Sequence, residues 1–266
     1  MKRFDRVILN IKSIKIQGAT NIALAGMQAY LLQHDSDSVK RILNSRPTEP
    51  LLQNCIKLLI KTPELQLKSK VQSLTKQIKN DEQKIAKFGA KLIKSNSNVF
   101  SHCHSSSAIG IFLEAKKQKK NFKVFTTTAF PKFQSRVTAK DLGKAKIPVF
   151  IVPDLASEQL LDHSSIFIFG ADALISQGVV NKLGTMMLAK EAYRKKIPCY
   201  CAATMMKFIR NIQLEMRSPK ELWNEKSKFI HPINPAFDLT LWKYIKGIIT
   251  EKGILTPEKF LKMVKG

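Results

Sequence analysis

Val99-Phe-Ser-His-Cys-His-Ser-Ser-Ser-Ala108 and Ile166-Phe-Ile-Phe-Gly-Ala-Asp172 decide how this chain is read. Each is a short apolar run that ends beside a reactive side chain, Cys103 in the first and Asp172 in the second. Similar runs recur between helix-like segments. Strands are therefore expected at 98–102, 122–127, 147–152, 165–170 and 197–202, with helices at about 106–120, 138–145, 155–162 and 181–196. Regular alternation of buried strands and helices predicts an α/β domain: a Rossmann-like parallel sheet covered by helices on both faces. Ligands of open parallel sheets bind at the carboxyl ends of the strands, near the point where strand order reverses. A thiol and a carboxylate at two such ends are expected to face one pocket.

Working outward, residues 1–95 read as an all-helical N-terminal domain and 96–266 as the α/β domain carrying the site. Asn21 to Gln33 places Ile22, Leu24, Ala25, Tyr30 and Leu31 at helical spacing. Asp35-Ser-Asp-Ser38 supplies capping chemistry for a second helix, Pro47 and Pro50 precede a third over 51–61, and a long amphipathic helix is expected from about Leu65 to Ile93. In the tail, a helix is expected after Asn234-Pro-Ala-Phe-Asp238 and through Ile249.

Composition narrows the function classes. Hydrophobic residues make up 44% of 266, with no apolar run near the roughly 18 residues of a membrane span and no secretory leader pattern at the start. A cytoplasmic protein without a membrane partner is expected. The net charge of +25 is unusual, yet the lysines are spread over almost every helix, with only short clusters such as Lys116-Lys-Gln-Lys-Lys120 and Arg194-Lys-Lys196. A basic solvated surface is the favoured reading over dedicated nucleic-acid binding, for no recognition motif accompanies the charge. The four cysteines make no zinc-type double pair, and Cys199-Tyr-Cys201 is read as placing its thiols on opposite faces of a strand. No metal and no cofactor is expected.

Cys103 precedes three serines able to cap the next helix, and a helix N-terminus favours the thiolate. His102 and His104 flank it. The alternative is a buried structural cysteine, the commonest fate of the type. Asp172 follows an almost purely apolar strand and must be solvated in a cleft, paired, or used as an acid or base; a turn or cap role is the alternative. Gly178-Val-Val-Asn-Lys-Leu-Gly-Thr185 is expected to lead into a helix whose start, with Lys182 and Thr185, holds a phosphate. Pro131 to Ala139, with Gln134 and Arg136, follows another strand end and offers a further anion contact.

Taken together, Lys12-Ser-Ile-Lys-Ile-Gln-Gly-Ala19, Ser101-His-Cys-His-Ser105, Gly170-Ala-Asp172, Asn181-Lys-Leu-Gly-Thr185, Lys207-Phe-Ile-Arg210, Asn234-Pro-Ala-Phe-Asp238 and Ile248-Ile-Thr-Glu-Lys-Gly253 resemble one family over essentially the whole chain. It comprises the alpha, beta and delta subunits of translation initiation factor 2B, ribose-1,5-bisphosphate isomerase and methylthioribose-1-phosphate isomerase. The resemblance implies that Cys103 and Asp172 are a catalytic pair interconverting an aldose 1-phosphate and its 1-phosphoketose. By the same resemblance, Gln17, Gly18, Ala19, His104, Ser105, Gln134, Arg136, Asn181 and Lys182 bind a phosphorylated sugar or nucleotide, and the chain forms a homo-oligomer, a dimer or larger. The initiation-factor branch implies instead a non-catalytic regulatory or binding subunit.

The chain departs from the isomerase pattern. Gln17 stands for an arginine, His104 for an asparagine, and Phe130 in Thr127-Thr-Ala-Phe-Pro131 for a second arginine. The Ser176–Val180 loop is one residue short and lacks an aspartate. Each lost arginine removes a bidentate clamp, and hydrogen bonds to charged groups are worth about 1.5–3 kcal/mol each. Two such losses correspond to a few hundredfold or more in affinity.

Overall fold

The computed structural model describes residues 1–265, the side chain of Lys265 excepted. Five helices come first: α1 (Arg3–Lys12), α2 (Ala19–Leu32), α3 (Ser36–Leu43), α4 (Pro50–Ile60) and α5 (Leu67–Ala90). Asp35 caps α3 as its position predicts, accepting from the N–H groups of Asp37 and Ser38 at 3.0 Å. Pro50 opens α4, where a missing N–H costs nothing. Apolar residues of α1 to α4 and the first half of α5 close a core of their own around Ile11, Met27, Leu52 and Ile56.

The alternating segment follows as β1 (Ser97–Ser101), α6 (Ser106–Lys117), β2 (Phe122–Thr127), α7 (Ser135–Lys144), β3 (Val149–Val152), α8 (Ser157–Leu161) and β4 (Ile166–Gly170). The chain continues through β5 (Ala173–Ile175), β6 (Gly178–Lys182), α9 (Thr185–Arg194), β7 (Cys199–Ala202), β8 (Phe237–Leu241), β9 (Gly247–Thr250), β10 (Gly253–Leu255) and α10 (Pro257–Lys265). Seven strands form one sheet in the order β10-β9-β7-β4-β1-β2-β3, parallel throughout except for the antiparallel edge strand β10. Chain order runs outward from β1 through β2 to β3, then returns to β4 and leaves the other way. The switch point lies between β1 and β4.

Strand alternation divides the core around this sheet. Val99, Ile166, Ile168, Tyr200 and Ala202 face α5 and α6, while Phe100, Phe167, Phe169, Cys199 and Cys201 face α9 and α10. Cys199 and Cys201 thus share a face, correcting the expectation of opposite ones: residues two apart fall on the same side of a pleated strand. Both are free thiols.

Two further expectations are overturned. The helix expected from 181 begins only at Thr185, because residues 178–182 form β6, and the segment through Ile249 is β8, a short 3-10 turn at Trp242–Tyr244 and β9. β5, β6 and β8 form a second, antiparallel sheet of three strands beside the first. Val179 and Val180 lie in a short apolar run that periodicity cannot assign, and the pairing with β8, distant in sequence, decides it. No helix among the described residues is long and apolar enough to cross a membrane.

Candidate active site

The switch point opens on a cavity of about 330 Å³, lined from both the helical segment and the sheet. Cys103 enters from the turn after β1 with a left-handed backbone (φ +65°), and Asp172 from the turn after β4. Ser105 caps α6 by accepting from Ala108 N–H at 3.3 Å. Gly170 makes room for it: a Cβ there would fall 2.1 Å from Ser105 Oγ.

Of the residues singled out in the sequence, Gln17, Gly18, Ala19, Cys103, His104, Ser105, Gln134, Asp172, Asn181 and Lys182 all line this cavity. Arg136 does not; its guanidinium lies over the Phe133 ring at 4.3 Å. Phe130 is also outside the lining and half exposed. Gln134 instead presents Oε1 to Cys103 Sγ at 3.4 Å. The Asn181 amide lies 3.1 Å from Asp172 Oδ2 and 3.3 Å from Gly170 O, both acceptors, so its NH₂ edge faces the carboxylate.

The electrostatics differ from the sequence expectation at the thiol. Burial, with the field of Asp172 adding to it, pushes the Cys103 pKa up to about 12, outweighing the backbone contribution at the helix start. Cys103 is held as a neutral thiol rather than a thiolate. Burial also raises the Asp172 carboxyl, opposed by Lys207, Arg46 and Lys182. Lys207 is itself buried and donates to Ala171 O at 2.6 Å.

His102 does not assist the sulfur. Its Nε2 lies 3.2 Å from the Leu183 carbonyl and its Nδ1 2.6 Å from Thr127 Oγ1, so one neutral tautomer donates to the carbonyl and accepts from the hydroxyl. The ring ties the turn after β6 to β2. Burial lowers its pKa to about 4. A depressed pKa contributes stability that is complete above the unfolded value near 6.5 and is lost as pH falls through the folded one. Between pH 7 and 4 the wild type should lose about 3 kcal/mol more than His102→Asn, read from melting curves at each pH. Parallel curves for the two proteins would remove this assignment.

The expected phosphate contact at the start of α9 is already filled. Asp238 on β8 accepts from Gly184 N–H at 2.7 Å and Met186 N–H at 3.1 Å, so a carboxylate of the chain occupies the amides a phosphate would use. Lys182 reaches the cavity from the last residue of β6, and its amine has no hydrogen-bond or ion-pair partner among the described residues.

Sequence reasoning missed several charges in the cavity: Arg46 and Glu49 from the turn before α4, Lys132 from the turn after β2, Lys207, and Arg217 and Glu221 from the irregular segment before β8. Lys207 lies in a stretch that carried the family resemblance; the others had no periodicity or motif to mark them. Asp154 fixes the turn bearing Lys132 and Gln134 by accepting from Thr128 Oγ1 and from the N–H groups of Ala129 and Phe130 at 2.6–3.0 Å. Among the described residues no three His, Cys, Asp or Glu side chains converge as a metal site requires.

Residues 14–257 match the initiation factor 2 subunit family. The chain is 33% identical to ribose 1,5-bisphosphate isomerase of Methanocaldococcus jannaschii, over 93% of this chain and 90% of that protein. It is 32% identical to a putative translation initiation factor eIF-2B subunit 2-like protein of Pyrococcus furiosus, over 96% of each. The solved structure of Pyrococcus horikoshii translation initiation factor eIF-2B superposes with a TM-score of 0.88 at 28% identity, covering 97% of this chain and 98% of that one.

Proposed function

Because the chain belongs to the initiation factor 2 subunit family, we propose that it is a sugar-phosphate isomerase that interconverts an aldose 1-phosphate and the matching 1-phosphoketose. The observation that carries this reading is the meeting of Cys103 and Asp172 in one cavity beside the cations Lys182 and Lys207. The cavity's size suits a pentose phosphate.

The conversion opens the sugar ring at C1, moves one hydrogen from C2 to C1, and transfers the proton of the C2 hydroxyl to the former ring oxygen. It needs one group that gives a proton and one that takes it, in a site that excludes water. Cys103, held neutral, gives its proton to the opening ring oxygen and regains one from the C2 hydroxyl as the ketone forms. Asp172, made more basic by burial and steadied by the Asn181 amide, takes the carbon-bound hydrogen of C2 as a proton and returns it to C1. Lys182 pairs with the phosphate. Assembly as a homo-oligomer is part of the same reading.

The test is ligand stabilisation followed by turnover, using ribose 1,5-bisphosphate, methylthioribose 1-phosphate, ribose 5-phosphate and AMP. A ligand at ~100 times its dissociation constant should raise stability by about 2.7 kcal/mol. A sugar 1-phosphate that stabilises the protein and is converted to a ketose carries the proposal; stabilisation by none of them ends it. The likeness to initiation factor eIF-2B at a TM-score of 0.88 favours a second reading, a non-catalytic regulatory subunit. It predicts a protein partner in a pull-down and no turnover of any sugar 1-phosphate.

A further inference from the structure

One wall of the cavity carries three cations, and each is already matched by a carboxylate. Arg217 binds Glu215 and Glu221 at 2.8 Å each. Lys132 lies 3.3 Å from Glu221. Arg46 stands 3.7 Å from Glu215 and 3.8 Å from Glu49. The three carboxylates come from distant parts of the chain, Glu49 from the turn before α4 and the other two from the segment before β8. Cations paired in this way offer a phosphate fewer free donors and less net charge.

We infer that Glu49, Glu215 and Glu221 set the specificity of this site: set against Arg46, Arg217 and Lys132 they leave the wall at most one net positive charge, so the cavity takes a sugar with one phosphate and a hydroxyl, not a second phosphate, at its other end. This inference rests on the sugar-phosphate reading and narrows its substrate class. The single phosphate goes to Lys182, whose amine is unpaired.

A hydroxyl suits such a wall, since it donates and accepts and brings no charge of its own. Glu221 stays ionised, its burial outweighed by Arg217 and Lys132. Burial, Asp172 and Glu215 push Glu49 up to about 8 against Lys207 and Arg46, so it carries a proton at neutral pH. A second phosphate then meets at most one net positive charge, whereas a hydroxyl is accommodated with Glu49 in either form.

The matched probes are ribose 1-phosphate and ribose 1,5-bisphosphate, which differ only in the 5-phosphate. Their dissociation constants are measured by calorimetry on the full chain, on Glu221→Gln and on Glu215→Gln, with the melting temperature of each variant recorded. Among the described residues the Glu221 carboxylate pairs with Lys132, Arg217 and Asn234, so this variant remains informative if loss of Glu215, which also braces Arg46, unfolds the protein. The wild type should bind ribose 1-phosphate at least as tightly as the bisphosphate. Freeing the cations should shift the ratio of the two constants toward the bisphosphate by about tenfold. A wild type that prefers the bisphosphate tenfold, an unchanged ratio in the folded variants, or no binding of either sugar to any of the proteins overturns the inference. Preferential binding without turnover would remove the isomerase reading and leave the charge-matched wall standing.

Discussion

Cys103→Ser and Asp172→Asn are each expected to lower kcat for the aldose 1-phosphate by about 10²–10⁴, the usual worth of a positioned acid or base. Both substitutions preserve shape. Serine keeps a small donor facing Gln134 Oε1, which lies 3.4 Å from the Cys103 sulfur, and leaves the left-handed backbone of position 103 (φ +65°) unaltered in chemistry. Asparagine at position 172 keeps its backbone N–H on the Val180 carbonyl at 2.9 Å and can turn its amide oxygen to Asn181. Melting temperatures should therefore stay within a few degrees of wild type. The double variant should be little worse than either single one, because a donor without an acceptor completes no proton transfer. Full turnover in either single variant would sink the residue assignment. A loss of activity matched by a fall of ten degrees or more in melting temperature would make the residue structural instead.

Gly178→Ala is expected to be the most damaging of the small changes to the scaffold. Gly178 opens β6 opposite Leu241 of β8, and a Cβ there would lie 2.0 Å from the Thr240 carbonyl oxygen and 2.8 Å from its carbon. These are backbone atoms in a paired strand, so no side-chain rotation relieves the clash. Overpacking of this kind costs about 3 kcal/mol, or roughly 6–10 °C in a chain this size. The register of β6 carries Asn181 opposite Asp238 and Lys182 opposite Phe237, so stabilisation by sugar phosphates should weaken with the fold. Gly143→Ala is the control, since nothing lies within 4 Å of its Cβ position. Equal melting temperatures for the two variants would show that β8 yields easily and that β6 is not held as argued.

Much of the scaffold was legible because it follows local rules. The runs at 98–102, 122–127 and 165–170 are apolar, β-branched or aromatic, and flanked by turn residues, and each is a strand within a residue or so of its expected bounds. Asp35 declared a helix start because capping is a contact across two or three residues. The three-stranded sheet was not legible: 178–182 and 237–241 pair across more than fifty residues, and neither alternates strongly enough to signal alone.

The same division governs the candidate site. Sequence alone brought Cys103 and Asp172 to one place, for every parallel strand ends on the same side of its sheet and these two residues follow neighbouring strands. Tertiary structure decided which charges surround them. Arg46, Glu49, Arg217 and Glu221 sit in turns and irregular chain, where no period marks the residue that points inward. It also decided ionisation. A helix start beside Cys103 predicted a thiolate, yet burial and a neighbouring carboxylate keep the thiol neutral. Desolvation depends on everything packed around a group, and that information is spread over the whole chain rather than written beside the residue it controls.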